Sequence, residues 1–197
     1  MNWMGGGGEP RLVLVRHGAT EWSQNGRHTS HTDLPLLTSG VTRARALAPV
    51  LGAMHFARVL SSPLQRARRT AGLAGFGDRV EVLPALTEWD YGHYEGKTSE
   101  EIWRERPGWE LWRDGAPGGE SPAQVAARVD GVIDEAVRAD GDVLIFAHGH
   151  VLRVLAARWA GGDVTLGARL ALDPATISIL GHEHDTRVLE RWNASAG

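Results

Sequence analysis

The stretch "LVLVRHGATEW", residues 12–22, decides the fold, because an apolar run leads directly into charged and titratable side chains. Four consecutive apolar residues are typical of a strand that is buried on both faces. Arg16 and His17 stand at the end of this run, and Gly18 follows them. In open α/β sheets, ligands bind beyond the carboxyl ends of the strands. The stretch therefore predicts a buried strand that delivers an arginine and a histidine to a binding site.

The composition is that of an ordinary globular chain. It has 197 residues, of which 42% are hydrophobic and 23% are charged, and this suits one domain with a substantial core. Its apolar runs fall short of the roughly 20 residues that a membrane-spanning helix needs. The start "MNWMGGGGEP" does not resemble a secretory signal. We expect residues 1–10 to form a flexible leader and residues 11–197 to form a single domain.

Charge and cysteine content exclude several classes of function. A formal net charge of −3 argues against a general nucleic-acid-binding surface. The absence of cysteine removes disulfides, thiolate metal sites and cysteine nucleophiles. We therefore predict a cytoplasmic protein whose partner is a small molecule rather than a nucleic acid or a membrane.

Strand and helix patterns alternate along the chain. Apolar runs predict strands at residues 11–15, 57–62, 80–84, 142–147 and 176–181, with an edge strand at 186–192. Capping patterns predict one helix from Thr38 to about Leu51 and another from Ser62 to about Leu73. A third begins at Thr98, a fourth runs from Ser121 to about Ala139, and a last helix follows His150. This alternation predicts a three-layer α/β/α sandwich with a mostly parallel central sheet.

Residues 85–120 form the longest segment without a clear strand, and the segment holds four tryptophans. We expect it to rise over one edge of the sheet as a cap over the active site. Trp103, Trp109 and Trp112 either stack on a substrate or pack beneath the cap, and packing is the simpler interpretation.

A second apolar strand, "DVLIFA", ends in "HGH" and places His148 and His150 at another strand end. The glycine of each His-Gly pair is expected to let the backbone approach a bound group and to leave its N–H free. Arg66 lies in the first turn of the helix after the strand at 57–62, and a helix N-terminus attracts anions. These groups can converge on one small anion, and phosphate suits the bidentate geometry of arginine.

A histidine at the centre of a phosphate site suggests nucleophilic catalysis. Neutral imidazole of His17 can attack phosphorus and form a phosphohistidine. A carboxylic acid must then protonate the leaving oxygen and later accept a proton from water. Glu88, in "LTEWDYGHYEG" after the strand at 80–84, is the best-placed candidate, and Glu21 and Asp90 compete with it.

From "LVLVRHGATEW" onward the chain resembles the histidine phosphatase superfamily, in its phosphoglycerate mutase-like branch. Five blocks occur in the family's order: "RHGATEWSQNGRHTSHTDLPLLTSG", "SSPLQRARRTA", "LTEWDYGHYEGKT", "GGES" and "FAHGHVLR". Within the family, "TDLPL", "LWRDG" and "AHGHVLR" are most similar to acid-phosphatase-like and sedoheptulose-bisphosphatase-like members. The resemblance implies a single α/β/α domain, no metal or nucleotide cofactor, and homodimers as the assembly.

The resemblance also implies roles for particular residues. His17 is the implied nucleophile and Glu88 the implied general acid and base. Arg16, Arg66 and His148 are the implied phosphate ligands. Substrate contacts are expected from Ser23, Thr29, Ser30, Tyr91, Gly149, His150 and Arg153, although Arg153 could equally be a helix surface residue.

Hydrolysis and phosphoglycerate mutase activity are the two competing reactions. Mutases of the family carry Asn where this chain has Ser23, Ser-Gly at Thr29-Ser30, and Asn after the last block's glycine, where this chain has His150. These departures favour a phosphatase acting on sugar phosphates or other small phosphate esters. Cofactor-dependent phosphoglycerate mutase or phosphotransferase activity is the alternative. A module that binds phosphate esters without turnover is a further one, and the complete set of expected catalytic residues argues against it.

Overall fold

Six strands form one mixed sheet at the centre of the computed structural model, which describes residues 9–196. The strands are β1 (Leu12–Arg16), β2 (Arg58–Ser61), β3 (Val80–Val82), β4 (Val143–Ala147), β5 (Ile177–Glu183) and β6 (Thr186–Ala194). Their order across the sheet is β3-β2-β4-β1-β5-β6. The first four are parallel, whereas β5 and β6 are antiparallel to their neighbours. All six predicted strands are confirmed, and most of the predicted leader lies outside the described residues.

Helices cover both faces of the sheet. They are α1 (Glu21–Gln24), α2 (Thr38–Gly52), α3 (Gln65–Leu73), α4 (Ser99–Glu105), α5 (Leu111–Asp114), α6 (Pro122–Ala136) and α7 (Gly149–Trp159). Val13 and Val15 of β1 face the core beneath α2 and α3, and Leu12 and Leu14 face the core beneath α6 and α7. The alternation of β1 side chains thus feeds two cores, and the predicted three-layer sandwich is confirmed. Within residues 9–196, no helix is long and apolar enough to span a membrane.

Local capping chemistry identified three helix starts correctly and one incorrectly, although Thr38 does not serve as the cap of its helix. Thr98 and Ser121 each form a capping box, with Glu101 and Gln124 respectively. Thr38 is not a cap, because it is already the first residue of α2 and follows Leu37. α6 ends at Ala136, three residues before the predicted end.

The predicted start of α3 at Ser62 and Pro63 is wrong. The helix begins at Gln65, whose N–H donates to the Asp33 carboxylate at 2.9 Å. Ser62 only accepts a longer hydrogen bond, 3.3 Å, from the N–H of Leu64. A cap that arrives from 32 residues away leaves no signal next to the helix, and this explains the misplaced start.

The parallel part of the sheet gathers the predicted catalytic residues. Because β1, β2, β3 and β4 run in the same direction, their carboxyl ends meet at one edge. Arg16 and His17 lie at the end of β1, and Glu88 lies beyond the end of β3. Arg66 follows β2 in α3, and His148 follows β4 directly. Residues far apart in the sequence thus converge through topology alone.

The segment at 85–120 contains no strand, as predicted, and is built from short helices. It includes 3-10 helices at Pro84–Leu86 and Gly92–Tyr94 in addition to α4 and α5. Trp89, Tyr91 and Trp109 are buried in the same core cluster that α6 and α7 complete. The segment is therefore packed into the domain, and its function as a cap stays a prediction.

Candidate active site

A cavity of about 180 Å³ opens at the carboxyl edge of the parallel strands. Nine of the twelve predicted site residues line it: Arg16, His17, Ser23, Thr29, Glu88, Tyr91, Gly149, His150 and Arg153. Arg66, His148 and Ser30 lie behind this lining and are fully buried. The structure therefore brings nine of the predicted residues to one cavity and places the other three, fully buried, outside its lining.

His17 has the geometry of a nucleophile. Its Nδ1 lies 2.8 Å from the carbonyl oxygen of Gly18, which can only accept, so Nδ1 carries the proton. The other ring nitrogen, Nε2, is then the unprotonated one, and the ring is only 5% exposed where it lines the cavity. Burial, followed by the charges of Arg16 and Arg66, holds the pKa of His17 well below its usual value of 6.5. The imidazole is thus neutral and presents a lone pair to a ligand.

Arg16 is a cation that lines the same cavity as His17. Its Nη1 donates to the carbonyl of Leu172. Its Nε–H is buried and has no hydrogen-bond partner within residues 9–196. A buried donor of this kind is normally satisfied by a ligand or water. Gly149 leaves space beside the guanidinium, because a Cβ at that position would lie 3.3 Å from Cζ and Nε of Arg16.

Gly18 serves a different purpose from the one predicted. Its N–H is not free, because it donates to Oγ1 of Thr70 at 3.0 Å. A Cβ at position 18 would lie 2.6 Å from the carbonyl oxygen of Gly40, and a Cβ at Gly40 would lie 2.4 Å from the carbonyl oxygen of Ala19. The two glycines therefore allow α2 to pack directly against the backbone after His17. Close backbone packing, rather than room for phosphate, explains Gly18.

His148 is fixed in one tautomer by its neighbours. Arg66 donates from Nε to Nδ1 of His148 at 3.1 Å, so Nδ1 is the acceptor and Nε2 carries the proton. Nε2 lies 2.7 Å from Oγ of Ser62. Burial, followed by the charge of Arg66 and the neighbouring His17, holds the pKa of His148 well below 6.5. The ring of His148 stands edge-on to that of His17, with 5.1 Å between their centroids.

Arg66 organises the loop that forms one wall of the cavity. Its Nη2 donates to the carbonyls of Thr29 and Ser30, and its Nη1 donates to the carbonyl of Thr32. The side chain is completely buried. The direct phosphate contacts implied for Arg66 and His148 stay predictions, because both side chains already bind protein groups.

Glu88 caps the helix that follows the second His-Gly pair. Its Oε1 accepts from the N–H groups of Trp89 and Val151 at 2.9 and 2.8 Å, and its Oε2 accepts from the N–H of His150 at 2.9 Å. The carboxylate thus occupies the positive end of the α7 dipole. Oε1 therefore accepts two of the three hydrogen bonds, and Oε2 accepts one.

Carboxylates already accept hydrogen bonds from the N-terminal amides of two helices, Asp33 on α3 and Glu88 on α7. Because Asp33 occupies the amide of Gln65, the expectation that free amides of α3 help to bind the anion stays a prediction. A phosphate group in the cavity must therefore be bound by side-chain cations and by amides that the carboxylates do not occupy.

Several of the predicted substrate residues also make contacts within the protein. Oγ of Ser23 completes the capping box of α1 by accepting from the N–H of Thr20. The hydroxyl of Tyr91 lies 2.6 Å from Nδ1 of His150, and burial raises the pKa of Tyr91 well above its usual value. Arg153 donates to the carbonyl of Gly167 and stacks over Trp112 at 4.4 Å. Arg153 therefore belongs to the cavity wall and not to an open helix surface.

Six further residues line the cavity beyond the predicted catalytic and substrate-binding residues. They are Thr20, Trp22, Gly26, Arg27, His28 and Leu172. All but Leu172 lie within the first resembling block, so their position after β1 was the available signal. Leu172 lies between α7 and β5, where no motif marks it.

Metal chemistry has no ready site in the part of the chain that the structure describes. Groups of three or more histidine, cysteine or acidic side chains arranged to hold a metal ion are absent from residues 9–196. His182, whose spacing with His184 is compatible with a metal ligand, instead pairs through Nε2 with Glu9 at 2.9 Å.

A neutral histidine, an adjoining arginine and a hydrogen-bonded carboxyl group together define a phosphoryl-transfer site. Residues 12–195 match the family model of the histidine phosphatase superfamily (branch 1). The chain belongs to this superfamily, whose members work through a phosphohistidine intermediate, and it is a hydrolase of phosphoric monoesters.

Similar proteins cover most of the chain. An acid phosphatase of Mycobacterium tuberculosis is 42% identical over 183 residues, which span 91% of this chain and 90% of that protein. The sedoheptulose 1,7-bisphosphatase of Saccharomyces cerevisiae is 35% identical over 185 residues, which span 77% and 68% of the two chains. The solved structure of an open reading frame product of Mycobacterium tuberculosis superimposes with a TM-score of 0.90 at 39% identity, covering 95% of this chain and 99% of that one.

Proposed function

We propose that this enzyme hydrolyses small sugar phosphates, with His17 as its nucleophile. The observation that carries the proposal is the hydrogen bond from Nδ1 of His17 to the carbonyl of Gly18. It fixes the tautomer in which Nε2 bears the lone pair, and Nε2 belongs to a ring that lines the cavity. The proposal thus rests on a histidine that is neutral, oriented and accessible.

The proposed reaction has two steps, the phosphorylation of His17 and the hydrolysis of the phosphohistidine. Nε2 of His17 bonds to phosphorus while the bond from phosphorus to the leaving oxygen breaks, and Glu88 gives its proton to that oxygen. Water then attacks phosphorus, Glu88 takes a proton from it, and the bond to His17 breaks. Inorganic phosphate and neutral His17 result, and no other reactant is required.

Arg16 is the proposed clamp on the phosphoryl oxygens. Its unpartnered, buried Nε–H lies beside Gly149, where an oxygen can approach it. Charge that develops on the equatorial oxygens is then stabilised by a fixed cation. We also propose that His148 and Arg66 contact the phosphate, as the family resemblance implies, and that the hydrogen bond from Arg66 orients His148.

The sugar assignment rests on the far side of the cavity. Tyr91, His150 and Arg153 present a hydroxyl, an imidazole and a guanidinium there. These groups suit a hydroxylated leaving group better than an alkyl one. The similarity to a sedoheptulose 1,7-bisphosphatase supports the same class of substrate.

A phosphate-release screen with a trapped intermediate tests the proposal. Wild-type protein and His17→Ala are assayed on sugar phosphates, 3-phosphoglycerate and p-nitrophenyl phosphate. The expected result is release from sugar phosphates by the wild type alone, with an acid-labile, base-stable phosphoenzyme in rapid-quench samples. Retention of activity in His17→Ala would refute the mechanism. Interconversion of phosphoglycerates that outruns phosphate release, measured with and without the bisphosphate, would favour the mutase instead.

We further propose that the enzyme works as a homodimer in the cytoplasm, as the family resemblance and the cysteine-free composition suggest. Light scattering on the purified chain should give twice the mass of one chain at micromolar concentration. The mass of a single chain would refute the dimer.

A further inference from the structure

A second and larger cavity, of about 480 Å³, adjoins the catalytic one. His28 and His150 line both cavities, and their rings are stacked with 6.1 Å between the centroids and 12° between the planes. We call the second cavity the tryptophan groove. Its other lining residues are Ser99, Trp103, Trp109, Glu110, Leu111, Trp112, Thr165, Ala168 and Arg169.

The indole rings of the groove offer faces rather than polar atoms. The Nε1–H of Trp103 donates to the carbonyl of Trp109, and that of Trp109 donates to the carbonyl of Gly115, both at 2.8 Å. Trp103 is nevertheless 47% exposed. Since its N–H is already satisfied, an exposed ring of this size remains as a flat apolar surface. Such a surface packs against the flat face of another ring.

The remaining lining of the groove is polar. Ser99 and Thr165 supply hydroxyl groups, and Glu110 and Arg169 supply opposite charges. A purely aromatic ligand would offer these four polar side chains no hydrogen-bond partner. A ligand with an apolar face and hydroxyl groups at its edge, as in a sugar ring, matches both parts of the lining.

We propose that the tryptophan groove binds a second sugar ring of the substrate, so that the preferred substrates are phosphate esters of glycosides rather than of single sugars. The proposal rests on the proposed function, since the phosphate and the first ring would occupy the catalytic cavity. His28 and His150 line both cavities, so the two cavities lie side by side. Binding energy gained by the remote ring then serves to position the ester.

A matched pair of esters tests this specificity. Trehalose 6-phosphate and glucose 6-phosphate carry the same phosphorylated ring, and only the first has a second sugar. For the wild type we expect kcat/KM to be higher for the disaccharide ester by on the order of tenfold. In Trp103→Ala this ratio should fall to near one, and in Trp103→Phe it should be partly restored. Val82→Ala, which changes an exposed apolar side chain outside both cavities, should keep the wild-type ratio.

Three outcomes would overturn the proposal: a wild-type ratio of one or less, a ratio that Trp103→Ala leaves unchanged, or a preference for naphthyl over phenyl phosphate without one for the disaccharide. Calorimetric binding to His17→Ala separates this question from catalysis. Tighter binding of trehalose 6-phosphate than of glucose 6-phosphate supports the groove even if the wild type releases no phosphate. Equal affinities would refute the groove even if the wild type is an active phosphatase.

Discussion

The dipeptide His-Gly follows both β1 and β4, and both copies lie at the same edge of the sheet. After β1, His17 lines the cavity with one ring nitrogen unprotonated. After β4, His148 is fully buried with both ring nitrogens engaged, by Arg66 and Ser62. The glycines differ as well, since Gly18 faces the backbone of Gly40 and Gly149 faces the side chain of Arg16.

The difference arises from what surrounds each copy. Gly18 leads into a loop that α2 presses upon, so the chain turns and the ring of His17 faces the cavity. Gly149 begins α7, whose first amides bind Glu88. His148 is therefore held by a helix start on one side and by Arg66 on the other. Identical dipeptides at equivalent strand ends thus place one histidine in the cavity lining and bury the other among protein hydrogen-bond partners.

Alanine at each histidine gives the largest expected effect. His17→Ala should lower kcat/KM for p-nitrophenyl phosphate by at least about 10³-fold, because the nucleophile is lost, with little change in the free energy of unfolding. His148→Ala should lower both activity and stability, the latter by about 2 kcal/mol, because the Nε–H of Arg66 loses its buried partner. Activity assays and urea unfolding measure both. His55→Ala, at an exposed position, is the control, and a greater loss of stability in His17→Ala than in His148→Ala would break the comparison.

The second-largest expected effect is that of Glu88, the carboxylate that caps α7 after the second His-Gly pair. Glu88→Gln should lower kcat for sugar phosphates by about 10²-fold, because an alkoxide leaving group needs a proton. For p-nitrophenyl phosphate, whose leaving group is stable without one, the loss should be small. Asp90→Asn tests the competing carboxylate. Should Asp90→Asn rather than Glu88→Gln show the dependence on leaving group, the acid would be Asp90.

The glycines sharpen the comparison further. Gly18→Ala should destabilise the fold by about 2 kcal/mol, because the new methyl group meets a main-chain carbonyl at 2.6 Å. Gly149→Ala should instead lower kcat/KM roughly tenfold by displacing Arg16, with a smaller loss of stability. Thermal unfolding and steady-state kinetics separate the two. Gly52→Ala, where nothing lies within 4 Å, serves as the control, and equal destabilisation by all three variants would contradict the assignment.

The smallest effect concerns a property that the two histidines share. Their pKa values in the folded state lie well below 6.5, so below pH 6.5 the unfolded chain binds more protons and stability falls as pH falls. Each histidine should contribute about 0.7 kcal/mol of loss between pH 7 and 6. Urea unfolding of His17→Gln and His148→Gln should show equally flattened pH dependences. A slope that only one variant changes would show that the shared burial does not govern both rings.

Much of this architecture could be predicted from local sequence. Apolar runs such as "DVLIFA" define strands because both faces of a central strand are buried, and the parallel order then brings Arg16, His17, Arg66, Glu88 and His148 to one edge. Capping boxes at Thr98 and Ser121 were predictable because both partners lie within four residues.

Features that depend on distant partners could not be predicted in this way. Asp33 caps α3 from 32 residues away, and Glu88 caps α7 from 62 residues away. The donors of Arg66 reach carbonyls of a loop more than 30 residues earlier. The tryptophan groove likewise depends on how α4 and α5 pack beside residues 164–169. None of these pairings leaves a periodic or spaced signal in the chain.

The contact between Gly18 and Gly40 sets a limit on how this chain can evolve. Each position meets main-chain atoms, and no substitution elsewhere can shorten a peptide group to make room. Compensating mutations can relieve crowding between most side chains, but they cannot relieve it at this pair. His17 can be replaced by a single substitution, but Gly18 and Gly40 beside it can be replaced only if α2 moves away from the backbone that follows β1. The least replaceable residues near the nucleophile are thus ones that take no part in the reaction.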